Sequence, residues 1–196
     1  APIHYAIMNG DKVTGVTIMR MVAKMDAGAI ISQRAIPITG EDDVASMFEK
    51  LSVVGADLLI ETLPALFAGT ITEVEQDEAL VSFSPNISRE QEQIDWNKTA
   101  SEVDCFVRGL RPWPTSFTIL NGNRVKMWGV ALTDKQTTKA PGSLFVEGGR
   151  LYVACGGGTV LEITRLQPAG KAQMDAKAFI NGFSEWLNND SMNNLL

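Results

Sequence analysis

Apolar residues in the first seventy positions follow two different periods. Residues 2–9 place isoleucine and alanine at intervals of three and four, which predicts a short helix that ends at Gly10. Residues 14–21 and 30–38 are rich in β-branched side chains and predict two strands. Residues 42–67 return to helical spacing and predict one long helix. The predicted order is therefore helix, strand, loop, strand and helix.

This order is typical of an α/β domain, but two strands and two helices do not complete a doubly wound sheet. We therefore expect residues 1–71 to be the C-terminal part of an α/β domain whose other strands lie upstream. Thr39 and Asp42 predict a capping pair for the long helix, and Pro64 is expected to kink it or end it early.

The pattern changes after an acidic, irregular stretch at residues 72–88, which we interpret as a linker. Ser88 and Gln91 predict a helix start, and a second helix is predicted over residues 100–110. Five short strands, separated by glycine-rich turns, are then predicted over residues 115–120, 124–128, 142–146, 151–154 and 160–166. This pattern predicts that residues 89–196 form a C-terminal domain, a small β-barrel of the oligonucleotide-binding (OB) type. A last amphipathic helix is predicted over residues 175–187, with a frayed end beyond it.

Composition narrows the class of protein. The 196 residues carry a net charge of -6, have 45% hydrophobic residues, and include no apolar run long enough for a membrane span or signal peptide. Residues 1–88 hold 5 Lys or Arg against 12 Asp or Glu, and residues 89–196 hold 12 against 11. The acidic total argues against a general nucleic-acid binder, but the second half leaves room for a local basic face. Cys105 and Cys155 lack metal-site spacing and are expected to be buried thiols of a cytoplasmic protein.

Asp26 is the first candidate for chemistry. It lies between two apolar runs, at the sequence Met-Asp-Ala-Gly. Burial there would favour the protonated acid and suit Asp26 to proton transfer. The alternative is that Asp26 only caps a turn before Gly28, and the local sequence alone favours this second interpretation.

Four basic residues of the second half are candidates for nucleic-acid binding. Arg108, Arg111, Lys126 and Lys171 could together contact phosphates, although each alone is more typical of a solvated surface charge. Trp113 could stack on a base but is expected to be a buried corner residue. The glycines at 156–158 predict a β-turn rather than a phosphate loop, since no helix start follows them. His4 is expected to be structural or solvent-facing.

Several motifs taken together resemble the methionyl-tRNA formyltransferase family. They are Ala-Pro-Ile at 1–3, Thr-Gly-Val-Thr-Ile-Met at 14–19, Met-Asp-Ala-Gly at 25–28, Ile-Asp-Trp at 94–96, Arg-Gly-Leu-Arg-Pro-Trp-Pro at 108–114 and Leu-Gln-Pro-Ala-Gly-Lys at 166–171. The resemblance covers nearly the whole chain. Its first motifs also occur in other folate-dependent formyltransferases, whereas the last two are more specific to the tRNA enzyme.

The resemblance implies a Rossmann-like catalytic domain followed by a barrel that helps to hold initiator tRNA. It implies transfer of a formyl group from 10-formyltetrahydrofolate to the amine of methionyl-tRNA in translation initiation, with no metal. The catalytic set of the family is an Asn, a His and an Asp, and Asp26 matches the Asp. The Asn and His are expected upstream of Ala1, so His4 is not the catalytic histidine. The chain is then expected to be an inactive fragment of a monomeric enzyme.

One departure from the family pattern concerns the linker. The family tends to offer basic residues to tRNA there, whereas residues 72–88 are acidic and only Arg89 lies near. The tRNA-binding candidates are therefore Arg89 together with the four basic residues of the second half. Two alternatives remain: a non-catalytic tRNA-binding module, and a nucleotide-sugar formyltransferase with a similar barrel.

Overall fold

The computed structural model describes residues 1–187, and its first half contains the four predicted elements. They are α1 (Pro2–Met8), β1 (Val13–Met19), β2 (Ile30–Pro37) and α2 (Val44–Phe67). Strands β1 and β2 pair antiparallel, with Val13 opposite Pro37 and Ile18 opposite Ser32. The two ends of this hairpin are therefore distinct: one carries the loop with Asp26, and the other leads into α2.

Helix α2 is apolar on two faces. Its first face packs over the hairpin and α1 through a buried cluster of Ile7, Ile38, Val44, Met47 and Leu51. Its second face leaves Ile60 and Phe67 68% and 83% exposed. Pro64 lies inside the helix, which continues to Phe67.

The start of α2 differs from the prediction. The N-cap is Asp43, whose carboxylate accepts a hydrogen bond from Ser46 N, while Ser46 Oγ accepts one from Asp43 N. Thr39 does not cap the helix, because its backbone and hydroxyl both donate to the Asp42 carboxylate. The predicted Thr39–Asp42 pair exists, but it forms a turn before the helix.

The region between the halves has little regular structure. Two single 3₁₀ turns lie at Glu78–Leu80 and Glu90–Glu92. The helix predicted to start at Ser88 is therefore wrong: Ser88 N donates to Gln91 Oε1, but only one turn forms. Helix α3 (Ala100–Leu110) agrees with its prediction, and Thr99 and Glu102 form its capping box.

The second half is built on one antiparallel sheet. Its strands are β3 (Phe117–Leu120), β4 (Asn123–Gln136), β5 (Leu144–Glu147), β6 (Arg150–Ala154), β7 (Thr159–Pro168) and the short β8 (Met174–Asp175). The order is β3-β4-β7-β6-β5, with β8 beside β7. Among the described residues this ladder does not close into a ring. Strand β4 is much longer than predicted and contains register shifts against β7.

The predicted C-terminal helix is broken in two. Asp175 caps α4 (Ala176–Gly182), and after Phe183 a single turn, α5 (Ser184–Leu187), follows. The break lets Phe179, Phe183 and Trp186 contact one another, with Phe179 fully buried against the sheet. The frayed end predicted for residues 188–196 lies outside the described residues.

The two halves meet where α1 packs across α3. Gly109 permits this close approach, because a Cβ at this position would lie only 2.9 Å from Met8 N and 3.1 Å from His4 O. The core of the second half lies on the other side of α3 and includes Trp96, Val107 and Leu161. Helix α3 therefore joins the hairpin unit to the sheet unit.

Candidate active-site loop and nucleic-acid surface

Asp26 lies at the exposed tip of the loop that joins β1 to β2, residues 20–29, which we call the Asp26 loop. The loop closes through a hydrogen bond of 2.9 Å from Arg20 N to Ala29 O. Gly28 packs so tightly that a Cβ there would overlap the carbonyl of Arg20. Asp26 is exposed, so the predicted burial of this carboxylate is wrong.

Asp26 also has an unusual backbone conformation. Its φ of 54° is in the left-handed region, which costs a non-glycine residue about 1 kcal/mol or more. Residues in this region persist only where surrounding contacts hold them, and they are enriched at functional sites. The carboxylate is therefore presented to solvent by a backbone that is fixed from elsewhere.

The fixing contacts come from the linker, through residues 73–78, which we call the acidic segment. Gln76 Nε2 donates two hydrogen bonds of 2.8 Å, one to Asp26 O and one to Gly28 O. Val74 pairs with Ile30 in a β-bridge, with N–O distances of 2.7 and 2.9 Å. Linker and loop thus form one structural unit.

Two ion pairs join the same partners. Glu73 lies 2.6 Å from Arg20, and Glu78 lies 3.0 Å from Lys24. The sequence pattern predicts only an irregular linker over residues 72–88 and does not predict these contacts. A sequence signal for these contacts is the acidic run Glu-Val-Glu-Gln-Asp-Glu at 73–78 together with the basic Arg20 and Lys24 before Asp26.

Arg108 was predicted to be a surface charge, and this is wrong. It is only 9% exposed, and its guanidinium donates to Asp104 Oδ2 at 2.8 Å and to Asp42 O at 2.7 Å. Because α3 packs against the start of α2, the inward face of its last turn is buried. Arg108 therefore joins α3 to the turn before α2.

Arg111 belongs to the same contact between the halves. Its Nε donates to Asp43 Oδ2 at 2.8 Å, and its Nη1 donates to Trp128 O at 3.1 Å. Val44 N also donates to Arg111 O. The Arg111 side chain is partly buried, and its guanidinium is engaged within the protein.

Asp42 is the buried carboxylate of this contact. Burial alone would raise the pKa of Asp42, but the pKa is instead held far below its usual range by hydrogen bonds from Lys50, Thr39 and Ser46. The ionised carboxylate thus stabilises the turn from which α2 begins.

The remaining basic candidates are accessible. Lys126 points outward from β4 and is half-buried, whereas Lys171 and Arg89 are exposed. Gln167 connects Lys126 with Lys171. It lies opposite Lys126 in the sheet, and its Nε2 donates to Lys171 O at 2.8 Å. The structure brings Lys126 and Lys171 into one region, and Arg89 lies before the second 3₁₀ turn.

Trp113 is 74% exposed, so the predicted buried corner is wrong. The backbone of the corner is anchored instead: Thr115 N donates to Leu110 O, and His4 Nε2 lies 3.2 Å from Trp113 O. His4 is partly buried and has a lowered pKa, mainly because burial disfavours its charged form.

The thiols are buried, as predicted. Cys155 is enclosed by the sheet core, and burial raises its pKa to about 12. The glycines at 156–158 form a 3₁₀ turn rather than a β-turn, with Gly156 packed against the backbone of Asn97. Within residues 1–187, no cluster of His, Cys, Asp or Glu could hold a metal ion, and no helix is long and apolar enough to cross a membrane.

Two family models match the chain. One, described as formyl transferase, matches residues 1–63, and the other, described as formyl transferase, C-terminal domain, matches residues 86–184. The two matches share no residue, and residues 64–85 lie between them.

Curated relatives match across both halves. The methionyl-tRNA formyltransferase of Enterococcus faecalis is 58% identical over 186 residues, which cover 94% of this chain and 59% of the relative. That of Levilactobacillus brevis is 52% identical over 188 residues, which cover 95% of this chain and 60% of the relative. The chain thus spans about three fifths of the length of these relatives.

Solved structures share the fold at lower identity. HypX from Aquifex aeolicus in complex with tetrahydrofolic acid aligns with a TM-score of 0.67 and 19% identity, covering 96% of this chain and 33% of that one. WlaRD, a sugar 3N-formyl transferase solved in the presence of dTDP and 5-N-formyl-THF, aligns with a TM-score of 0.65 and 18% identity, covering 87% and 60%.

Proposed function

The chain belongs to the formyl transferase family, and from this premise we propose that the full-length protein is a methionyl-tRNA formyltransferase. The observation that carries the proposal is the 58% identity to the Enterococcus faecalis enzyme, which extends through both halves of the chain. The corner at 111–114 and the segment at 166–171 support the tRNA enzyme over other members.

The proposed reaction moves a formyl group from 10-formyltetrahydrofolate to the α-amine of initiator methionyl-tRNA. The amine nitrogen bonds to the formyl carbon, the bond from that carbon to the folate nitrogen breaks, and the amine proton passes to the released folate. The transient oxyanion needs hydrogen-bond donors, and the proton needs an acceptor. No metal is required for this exchange.

Asp26 is proposed as the catalytic carboxylate. It acts with the family's asparagine and histidine, for which this chain has no matching positions, by orienting the histidine and helping to transfer the proton. Its exposed position on a fixed loop supports this role. Met21, Val22 and Met25 are exposed on the same loop and could contact the flat rings of a folate.

We propose domain limits of 1–71 for the C-terminal part of a Rossmann-like catalytic domain, 72–88 for the linker and 89–196 for an OB-like barrel. The long β4, with its register shifts, supports the last assignment, since such irregularities bend strands in small barrels. An enzyme of initiator tRNA is expected to act in the cytoplasm.

The tRNA-binding surface is proposed to include Lys126, Lys171 and Arg89. These side chains are at least partly accessible, whereas Arg108 and Arg111 are engaged with Asp104 and Asp43. Trp113 joins the candidates, because an exposed indole can stack on an unpaired base.

Formyl transfer to purified substrates tests the proposal. Full-length protein is incubated with 10-formyltetrahydrofolate labelled in the formyl group, and with either methionyl-tRNA or an amino-sugar nucleotide. We expect label on the methionyl amine only. Label on the sugar would favour the nucleotide-sugar enzyme instead. Tight tRNA binding without transfer would favour a non-catalytic module.

A further inference from the structure

The first residue, the middle and the last residue of the acidic segment all contact the Asp26 loop. Glu73 pairs with Arg20 at the loop's first residue, and Glu78 pairs with Lys24 near its tip. Between them, Gln76 reaches the loop backbone on both sides of Ala27. A stretch that separates two domains in sequence is therefore packed on the candidate catalytic loop.

Gln76 supplies hydrogen-bond donors to two carbonyl groups of the loop backbone. In the left-handed conformation of Asp26, the carbonyls of Asp26 and Gly28 point to one side, where a single donor group can reach both. A glutamine amide nitrogen carries two hydrogens, so it donates to both carbonyls at once. The two distances of 2.8 Å are those of well-formed hydrogen bonds.

The ion pairs strengthen this arrangement less than Gln76 does. Arg20 and Glu73 are partly exposed, and Lys24 and Glu78 are largely exposed, so solvent screens both pairs. Two of the four carboxylates of the linker, those of Glu73 and Glu78, are paired with basic residues of the Asp26 loop. They are thus occupied within the protein, rather than being aimed at a phosphate backbone.

We propose that Gln76 is a positioning residue for formyl transfer, which holds the Asp26 backbone in the conformation that presents the carboxylate. The inference rests on the proposed function. Because Gln76 acts through Asp26 and touches no substrate, its loss lowers the turnover number while leaving substrate binding nearly intact. A misplacement of about 1 Å in a catalytic group can lower turnover about 100-fold.

Gln76→Glu is the most informative variant. It keeps the shape of the side chain, but it replaces the donor nitrogen with a carboxylate oxygen that repels both carbonyls. Gln76→Ala removes the contact without repulsion. Gln33→Glu is the matched control, since Gln33 is an exposed glutamine of the same hairpin whose amide donates to Thr17 Oγ1 at 2.9 Å.

The test measures kcat, KM for each substrate and amide hydrogen exchange of residues 20–29 in the full-length enzyme. We expect kcat to fall about 10- to 100-fold in both Gln76 variants, with KM within about twofold. Hydrogen exchange in the Asp26 loop should rise in the same variants. Gln33→Glu should match the wild type in all three readouts.

Three results would overturn the inference, and they differ from failure of the proposed function. Wild-type kcat in both Gln76 variants would remove the positioning role while the activity itself stands. A fall in kcat with unchanged exchange in the loop would mean that Gln76 acts elsewhere. A rise in KM alone would make it a binding residue. Absence of formyl transfer in the wild-type enzyme would instead reject the proposed function, and the positioning role with it.

Discussion

Asp26 shows that the physical reason for proposing a residue can be wrong while the residue remains a candidate. Its position between apolar runs suggests burial, yet Asp26 is exposed at the tip of the loop. The resemblance, and not desolvation, marks it as the catalytic candidate. Its left-handed backbone and its contact with Gln76 depend on residues fifty positions away, which local sequence patterns do not predict.

Arg108 was predicted to contact nucleic acid at the surface, but it is buried in the protein interior. Arg108 lies four residues after Asp104 and three before Arg111, a spacing that places the three side chains along one side of α3. That spacing is equally consistent with a basic surface and with an ion pair inside the protein. Only the packing of α3 on α2 decides between them.

We expect Arg108→Ala to lower the free energy of unfolding by about 3 kcal/mol, because Asp104 would keep a buried charge without its partner. Arg150→Ala is the control: Arg150 pairs with Glu162 but is 65% exposed, so a change below about 1 kcal/mol is expected. Urea unfolding of both variants gives the comparison. Equal effects would contradict the buried role of Arg108.

At the scale of elements, periodicity predicted the helices best. Helix α3 agrees with its predicted limits because a capping box starts it and a proline-rich corner ends it. The helix predicted at Ser88 failed because the capping pair was not followed by an apolar face long enough to pack. The last helix is interrupted at Phe183, whose backbone is not helical and whose ring packs against Phe179 and Trp186.

The sheet was predicted less well. Strand β4 continues to Gln136, well beyond its predicted end at residue 128, and its second half pairs only with β7. Strand β8 has two residues, too few for any periodicity. Strand order was not predictable, because pairing between distant strands depends on the whole sheet.

The start of α2 should depend on pH through Asp42. The pKa of Asp42 in the folded protein lies well below the value of about 3.9 for an unfolded aspartate. Asp42 therefore contributes its full stabilisation above about that pH, and loses it progressively as the pH falls from there towards the folded pKa. We expect Asp42→Asn to be less stable than wild type at pH 7, with the difference shrinking from about pH 5 to pH 3. Urea unfolding at several pH values measures this. A difference that does not change with pH would contradict it.

At the scale of the molecule, the charge asymmetry has two separate causes. The acidic first half includes carboxylates that start α2 and hold the Asp26 loop, and these are paired within the protein. The near-neutral second half keeps accessible cations at Lys126 and Lys171. The distribution of charge along the sequence predicts which half carries a basic face, but it does not predict that Arg108 and Arg111 form ion pairs within the protein.

Salt dependence of tRNA binding tests that surface. Each phosphate contact that is lost should lower the slope of log affinity against log salt concentration by about 1. We expect this for Lys126→Ala and Lys171→Ala in the full-length protein. Lys12→Ala, which removes an exposed lysine of the first half, should leave the slope unchanged. Equal slopes for all three variants would exclude Lys126 and Lys171 from the interface.

The central claim is that Asp26 serves formyl transfer to methionyl-tRNA. The most direct measurement is the single-turnover rate of formylation by full-length Asp26→Asn protein, with saturating 10-formyltetrahydrofolate and methionyl-tRNA. We expect a loss of at least about 1,000-fold with an unchanged unfolding midpoint, since the amide keeps the shape of the side chain but neither accepts a proton nor stabilises a charged histidine. A rate within about tenfold of wild type would contradict the claim.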